Sequence, residues 1–379
     1  MNTAVLALLA SLQGPSADPV TVTAIDLRET GGVWVVRAKV GETEGLFVLS
    51  TGAARTSLRS APTSVGEGQS LPVRIEGLDF GTVPVQTEDL PGAPAALKGI
   101  IGLDALKGRM VGFNLERTEI TFWPKGLAPA ESARLAEAWV RPSGGEKART
   151  IKFLESRAGY PLVPVKFGTT PLALLVSTGV GTLAISMAHT KPGEFLKVGT
   201  TPQTDVRTGE RIKRPYGLVG PLVIEGQNLP PLPAILSEED GLAIDPDRPE
   251  GSVPIISLPF PRLLLDFGRS CMVVQTVPSA ELDDRWLTAQ SGLPLRISGD
   301  RLLIAEEQDT HFAGKFLPYK GQEVLDIGGL KGPEIVRAVR SRNAKSLDLA
   351  LALAKAMRTG YTARIQQPTG VYELKVAKP

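Results

Sequence analysis

Two serines stand at matching places in the chain, each followed by threonine and glycine. The first lies in Leu46-Phe47-Val48-Leu49-Ser50-Thr51-Gly52-Ala53-Ala54 and the second in Leu174-Leu175-Val176-Ser177-Thr178-Gly179-Val180-Gly181. A serine hydroxyl serves as a nucleophile only with a base in hydrogen-bond reach and a third group orienting that base. The sequence holds two histidines, His189 and His311. His189 sits beside Lys191-Pro192, His311 lies far down the chain, and no Gly-x-Ser-x-Gly elbow surrounds either serine. Without a base, two such hydroxyls hold a water by hydrogen bonds and do not activate it.

Carboxylates are the other candidates. Asp104 follows Ile100-Ile101-Gly102-Leu103, and Asp266 lies in an apolar run; either could be enlisted as a base. No metal is expected, because no His-Glu-x-x-His or spaced ligand cluster occurs and the single cysteine, Cys271, excludes a Cys-rich zinc site and an intrachain disulfide. That cysteine, in an apolar run, reads as a buried structural thiol. No Gly-x-Gly-x-x-Gly or phosphate-cradling loop is present, so no cofactor is expected. A net charge of +2 with both signs interspersed argues against nucleic acid or an anionic membrane as partner.

The elements that must position the serines are short strands. Apolar content of 42% suffices for a core, and 40 glycines and 31 prolines favour strands and turns over helix bundles. Each serine ends an apolar run that breaks at Thr-Gly, the pattern of a buried strand entering a tight turn. Strands are predicted from Val20 to Ile25, Val33 to Val36 and Phe47 to Leu49. A hairpin is predicted from Leu71 to Val85 turning at Glu76-Gly77, and a strand pair at Val111 to Leu115 and Glu119 to Trp123. A helix over Ala130 to Val140 leads into Arg141-Pro142-Ser143-Gly144-Gly145-Glu146-Lys147, a domain boundary by composition.

Past that boundary the first unit starts again. Lys39-Val40-Gly41 matches Lys166-Phe167-Gly168 and Ser50-Thr51-Gly52 matches Ser177-Thr178-Gly179 at one offset; Ile75-Glu76-Gly77 matches Ile224-Glu225-Gly226 at a larger one. The change of offset places an insertion between Ser177 and Ile224, at the polar stretch Lys197 to Arg214. The closing strands match as well, Phe113-Asn114-Leu115 against Leu265-Asp266-Phe267. One unit, present twice, is the reading.

Phe47-Val48-Leu49-Ser50-Thr51-Gly52-Ala53 resembles the active turn of aspartic peptidases, where Asp stands at the place of Ser50 and, in the second copy, of Ser177. The resemblance covers about residues 20–275. It implies two lobes, each with an active turn, a hairpin flap and an apolar-apolar-Gly motif packed behind the turn. Ile100, Ile101 and Gly102 fit that motif in the first lobe, and Ile255-Ile256-Ser257 takes its place in the second. It also implies a cleft lined by Ser50, Thr51, Gly52 and Ala53 from one turn and Ser177, Thr178, Gly179 and Val180 from the other. In that family one carboxylate deprotonates the attacking water while its protonated partner acts as acid; two serines do neither.

The last hundred residues differ. Gly321-Gln322-Glu323-Val324-Leu325-Asp326-Ile327-Gly328-Gly329 resembles a stretch of bacterial PDZ domains, with strands before it (Leu293 to Ile297, Leu302 to Ala305), an Ala/Leu-rich helix from Ser346 to Met357 and a hairpin from Tyr361 to Val376 after it. That resemblance places peptide binding at Gly292, Leu293 and Leu295, where Pro294 removes one backbone donor.

The apolar run Ala4 to Leu12 is too short to span a bilayer and suits a secretory leader with Pro15-Ser16-Ala17 as cleavage site, although no Lys or Arg precedes it. No other segment is a span candidate, so the mature protein is expected without a membrane span, secreted, periplasmic or envelope-associated; without that leader it is cytoplasmic.

The expected fold is mainly β: a two-lobed acid-protease-like β-barrel body with a C-terminal PDZ-like α+β domain. Expected boundaries are 1–18 for the leader, 19–125 and 151–278 for the lobes, 126–150 for the linker and 285–379 for the PDZ-like domain. The expected function is a peptidase-like protein without catalysis that binds extended peptide or protein segments. The alternatives are an active peptidase using an unrecognised carboxylate and a structural envelope protein.

Overall fold

The structure is a computed structural model describing residues 18–25, 32–59, 69–90, 93–115, 117–141, 148–186, 195–204, 211–220, 222–229, 231–237, 251–258, 260–275, 278–291, 293–305, 320–341, 348–349, 352–353, 355–356 and 359–376. The leader expected within 1–18, both histidines and Gly292 therefore lie outside the described residues, apart from Asp18.

The first half runs β1 (Val20–Thr23), β2 (Val35–Val40), β3 (Thr43–Leu49), β4 (Thr56–Arg59), β5 (Ser70–Ile75), β6 (Leu78–Glu88), β7 (Leu97–Ile101), the short helix α1 (Leu103–Leu106), β8 (Met110–Asn114), β9 (Glu119–Phe122) and helix α2 (Pro129–Val140). Strands β2 to β7 close a barrel in the order β2-β3-β7-β4-β6-β5. Closure is local in origin. Val36, Ala38 and Val40 alternate inward on β2, Val73 and Ile75 on β5, and all five are buried in one core cluster. The β5–β6 hairpin turns at Glu76-Gly77, both at positive φ. It pairs with β2 on one side and β4 on the other. Both strands of this hairpin are thus part of the barrel wall.

The second half follows with β10 (Ala148–Lys152), β11 (Leu162–Phe167), β12 (Thr170–Ser177), β13 (Leu183–Ser186), β14 (Phe195–Thr204), β15 (Arg211–Val219), β16 (Leu222–Ile224), β17 (Gln227–Leu229), β18 (Leu232–Ser237), β19 (Gly251–Pro254), a 3-10 turn at Ile255–Ser257, β20 (Arg262–Asp266) and β21 (Cys271–Gln275). Nine of these strands form one sheet, ordered β14-β15-β18-β13-β19-β12-β11-β16-β17. The expected insertion is the β14–β15 hairpin, spliced in after β13 and attached to the repeat through β15 and β18.

A six-stranded sheet, β1-β9-β8-β20-β21-β10, joins the halves. Its centre is the antiparallel pair β8–β20, with Gly112 opposite Leu264. A Cβ at Gly112 would lie 2.8 Å from the Trp139 ring, so glycine here lets α2 lie close on the sheet. Helix α2 covers this sheet with Ala136 and Val140 against Leu264, Cys271 and Val273. The burial expected of Cys271 is observed.

The C-terminal part comprises α3 (Ser279–Ser291), β22 (Leu295–Ser298), β23 (Arg301–Ile304), β24 (Glu323–Ile327), β25 (Leu330–Lys331), α4 (Gly332–Ser341), β26 (Tyr361–Gln367) and β27 (Gly370–Val376). Its sheet runs β22-β23-β24-β26-β27 with β25 beside β24. Helices α3 and α4 are additions to the sequence expectation. The helix expected from Ser346 to Met357 lies largely outside the described residues, and those described within it are helical. Trp286 of α3 joins Leu218 of β15 in the core of this part, and its Nε1 donates to Pro231 O at 2.7 Å, tying it to the second half. The chain is mainly β throughout, and no helix among the described residues is long and apolar enough to cross a membrane.

Candidate functional site

The two Ser-Thr-Gly turns meet. Each ends a buried strand, β3 or β12, whose inner neighbour is a parallel strand, β7 or β19. At the meeting point the threonines exchange four hydrogen bonds. Thr51 Oγ1 donates to Val176 O (2.6 Å) and accepts from Thr178 N (3.2 Å). Thr178 Oγ1 donates to Leu49 O (2.5 Å) and accepts from Thr51 N (3.0 Å). Both threonines are fully buried. A hydroxyl suits this place because one oxygen donates and accepts at once, satisfying two backbone groups that no water reaches.

The lock brings the serines together. A Cβ at Gly52 would lie 3.6 Å from Ser177 Oγ and 3.8 Å from Ser50 Oγ, so both hydroxyls converge on one point. Gly179 donates its amide to Ser177 Oγ at 3.3 Å. A side chain there would meet Ser50 Oγ at 2.6 Å, which is why glycine follows the threonine. Both serines are buried, Ser50 at 8% and Ser177 at 2% exposure. Ala53 and Val180 continue the two turns; Ala53 O accepts from Leu103 N at 2.8 Å.

Behind the first turn, Ser50 N donates to Ile101 O at 2.9 Å, and Ile100 and Ile101 pair in parallel with Val48 and Leu49. A Cβ at Gly102 would come within 2.5 Å of the Arg55 carbonyl, so only glycine permits this approach. Behind the second turn the register corrects the sequence reading. Ser252, Val253 and Pro254 pair with Leu175, Val176 and Ser177 and occupy the place of Ile100, Ile101 and Gly102. Ile255-Ile256-Ser257 follows them as a 3-10 turn, the counterpart of α1. The apolar pair misled because Val-Pro has no Ile-Ile-Gly signature, and parallel pairing is invisible in local sequence.

Both candidate carboxylates are hydrogen-bonded within their own surroundings. Asp104 accepts from Thr56 Oγ1 (2.7 Å), Thr56 N (2.9 Å) and Ala105 N (2.9 Å). Asp266 accepts from Gly268 N (3.0 Å), Arg269 N (2.9 Å), Arg269 Nε (2.6 Å) and the Ser132 hydroxyl on α2. Each carboxylate stitches a turn, and no group of three or more metal-ligating side chains occurs among the described residues.

No family model matches the sequence, and no curated protein matches it. Among solved structures the chain is similar to the crystal structure of an aspartic proteinase from Irpex lacteus. The likeness has 13% identity and a TM-score of 0.40, covering 69% of this chain and 98% of that one.

Of the second sequence candidate, Gly292, Leu293 and Leu295, the structure describes the two leucines. Leu293 and Leu295 are buried in the C-terminal core. Leu293 N donates to Ser291 Oγ (3.2 Å), Leu295 N to Thr288 Oγ1 (3.0 Å) and Ile297 N to Asp284 Oδ1 (2.6 Å). The donors a peptide terminus or added strand would use are thus taken by α3, an element the sequence reading left out. Desolvation holds the Asp284 carboxyl above its usual range, while the Ile297 amide opposes that shift.

Proposed function

We propose that this is an aspartic-peptidase-like protein that has lost catalysis and holds an extended peptide or protein segment across its paired turns. The observation that carries the reading is the convergence of Ser50 and Ser177 on one point, with the threonine lock intact and no carboxylate in the turns. Peptide hydrolysis by such turns requires one group to take a proton from water and another to give one; two hydroxyls offer hydrogen bonds alone. An extended segment suits them because its main-chain groups supply hydrogen bonds without chemistry. The C-terminal part, read as PDZ-like, keeps its β22 edge under α3, so the peptide role falls on the turns. An active peptidase using Asp104 or Asp266 is disfavoured, because both carboxylates are engaged in holding local backbone.

The test is a peptidase assay from acidic to neutral pH. The unmodified protein should leave peptides uncut, and Ser50→Asp with Ser177→Asp should introduce cleavage with an acid optimum, either change alone doing little. Robust cleavage by the unmodified protein, abolished by Ser50→Ala or Ser177→Ala, would overturn the proposal.

A further inference from the structure

The halves differ at one pair of matching places beside the turns. Leu49 N donates to Trp34 O at 2.8 Å, and Val176 N donates to Pro161 O at 3.0 Å. The repeat that aligns these bonds aligns Gly32 with Gly159, both at positive φ (+89° and +75°), and Gly181 with Ala54. The helical turns that follow β19 and β7 align Ile256 with Asp104.

On one side the three elements are packed. A Cβ at Gly32 would lie 2.2 Å from Ile256 Cδ1 and 3.1 Å from Gly181 Cα. On the other side nothing among the described residues lies within 4 Å of the same position at Gly159. A cavity of about 420 Å³ occupies that place, with Ala54 and Asp104 in its wall. The cause is chemical. Ile256 reaches across to its loop, whereas Asp104 is turned inward by its two bonds to Thr56. Thr56 aligns with Leu183 in the repeat, whose side chain offers a carboxylate no donor.

We propose that this cavity binds an apolar group carrying one carboxylate, such as the last residue of a peptide chain. Its apolar wall is Leu103 with the rings of Phe153 and Phe267, whose centroids are 6.3 Å apart. Lys107 and Arg157, both exposed, supply positive charge at the same cavity. Among the described residues Asp104 is the only acid in this lining, and its oxygens already accept from Thr56 and Ala105. A volume near the lower end of ordinary ligand pockets suits one side chain and its carboxylate. The proposal concerns residues outside the two serines and stands or falls separately from the reading of the turns.

Titration calorimetry on the full chain tests it with three probes: N-acetyl-phenylalanine, a short peptide ending in phenylalanine with a free carboxylate, and the same peptide amidated. The acid peptide should bind, and the amide should bind about tenfold more weakly or worse, the loss of one charge-assisted contact. Lys107→Glu with Arg157→Glu should weaken the acid by about tenfold or more, and Ala158→Trp, beside Gly159 in the lining, should remove binding by filling the space. None of the three positions is buried, so far-ultraviolet circular dichroism and the urea unfolding midpoint should match the unmodified protein. Tighter binding of the peptide than of N-acetyl-phenylalanine identifies a chain end as the source, and equal binding identifies the free acid. Equal binding of acid and amide, no binding of either acid, or binding untouched by Ala158→Trp overturns the proposal.

Discussion

Replacing Thr51 by valine tests the threonine lock most directly. Valine keeps the branched shape and removes one oxygen. That oxygen donates to Val176 O and accepts from Thr178 N, so its loss strips two backbone groups of these partners in a place with no exposure. Each buried polar group left unsatisfied costs about 1–3 kcal/mol, giving about 2–6 kcal/mol for Thr51→Val. Thr51→Ser keeps the oxygen and loses one methyl group, a cost of about 1 kcal/mol. Urea unfolding read by near-ultraviolet circular dichroism separates the two variants, the stability difference being the midpoint shift multiplied by the common slope. Thr178→Val should behave likewise, since its oxygen makes the mirror pair of bonds. A Thr51→Val variant as stable as Thr51→Ser would refute the account, because the crossed bonds would then contribute nothing that joins the turns.

Gly102→Ala should destabilise by about 1–3 kcal/mol or more, because its methyl group would meet the Arg55 carbonyl and Ala53 O, backbone atoms that cannot swing aside; unfolding midpoints check this. Asp104→Ala should cost about 1.5–3 kcal/mol, through loss of charge-assisted bonds to Thr56 and Ala105, by the same measurement. Burial pushes the Cys271 thiol up to about 11 from an ordinary 9.0, with Asp266 adding to the rise and Arg269 and Lys152 opposing it. Between those values the unfolded chain has released the thiol proton that the folded chain keeps, so this group's contribution to stability falls as pH rises from 9 towards 11. Iodoacetamide at pH 8 should accordingly modify Cys271 far more slowly in the folded protein than in urea.

Much of the site was legible because its signals are local. An apolar run breaking at Ser-Thr-Gly marks a buried strand entering a turn wherever it occurs, and its recurrence exposed the repeat. The β5–β6 hairpin announced itself through Glu76-Gly77, and the helix expected over Ala130 to Val140 is α2. Helices α3 and α4 went unread although Pro278-Ser279 and Gly332-Pro333 stand at their starts, the ordinary punctuation of a helix N-terminus.

From residue order alone follow the short-strand, turn-rich character of the chain, the duplicated turn, the absence of a carboxylate in either copy and the burial of Cys271. These depend on residue type and near neighbours, which sequence carries directly. Three other features needed the folded chain: the threonine exchange between residues 51 and 178, the pairing of Val253 rather than Ile256 behind the second turn, and the covering of β22 by α3. Each is a contact between segments distant in sequence or a choice of register, and a strand's own pattern is equally compatible with several partners. The open place at Gly159 is of the same kind. It exists because Asp104 bends to Thr56 while its counterpart Ile256 reaches across to Gly32, a difference of side-chain direction that only packing decides.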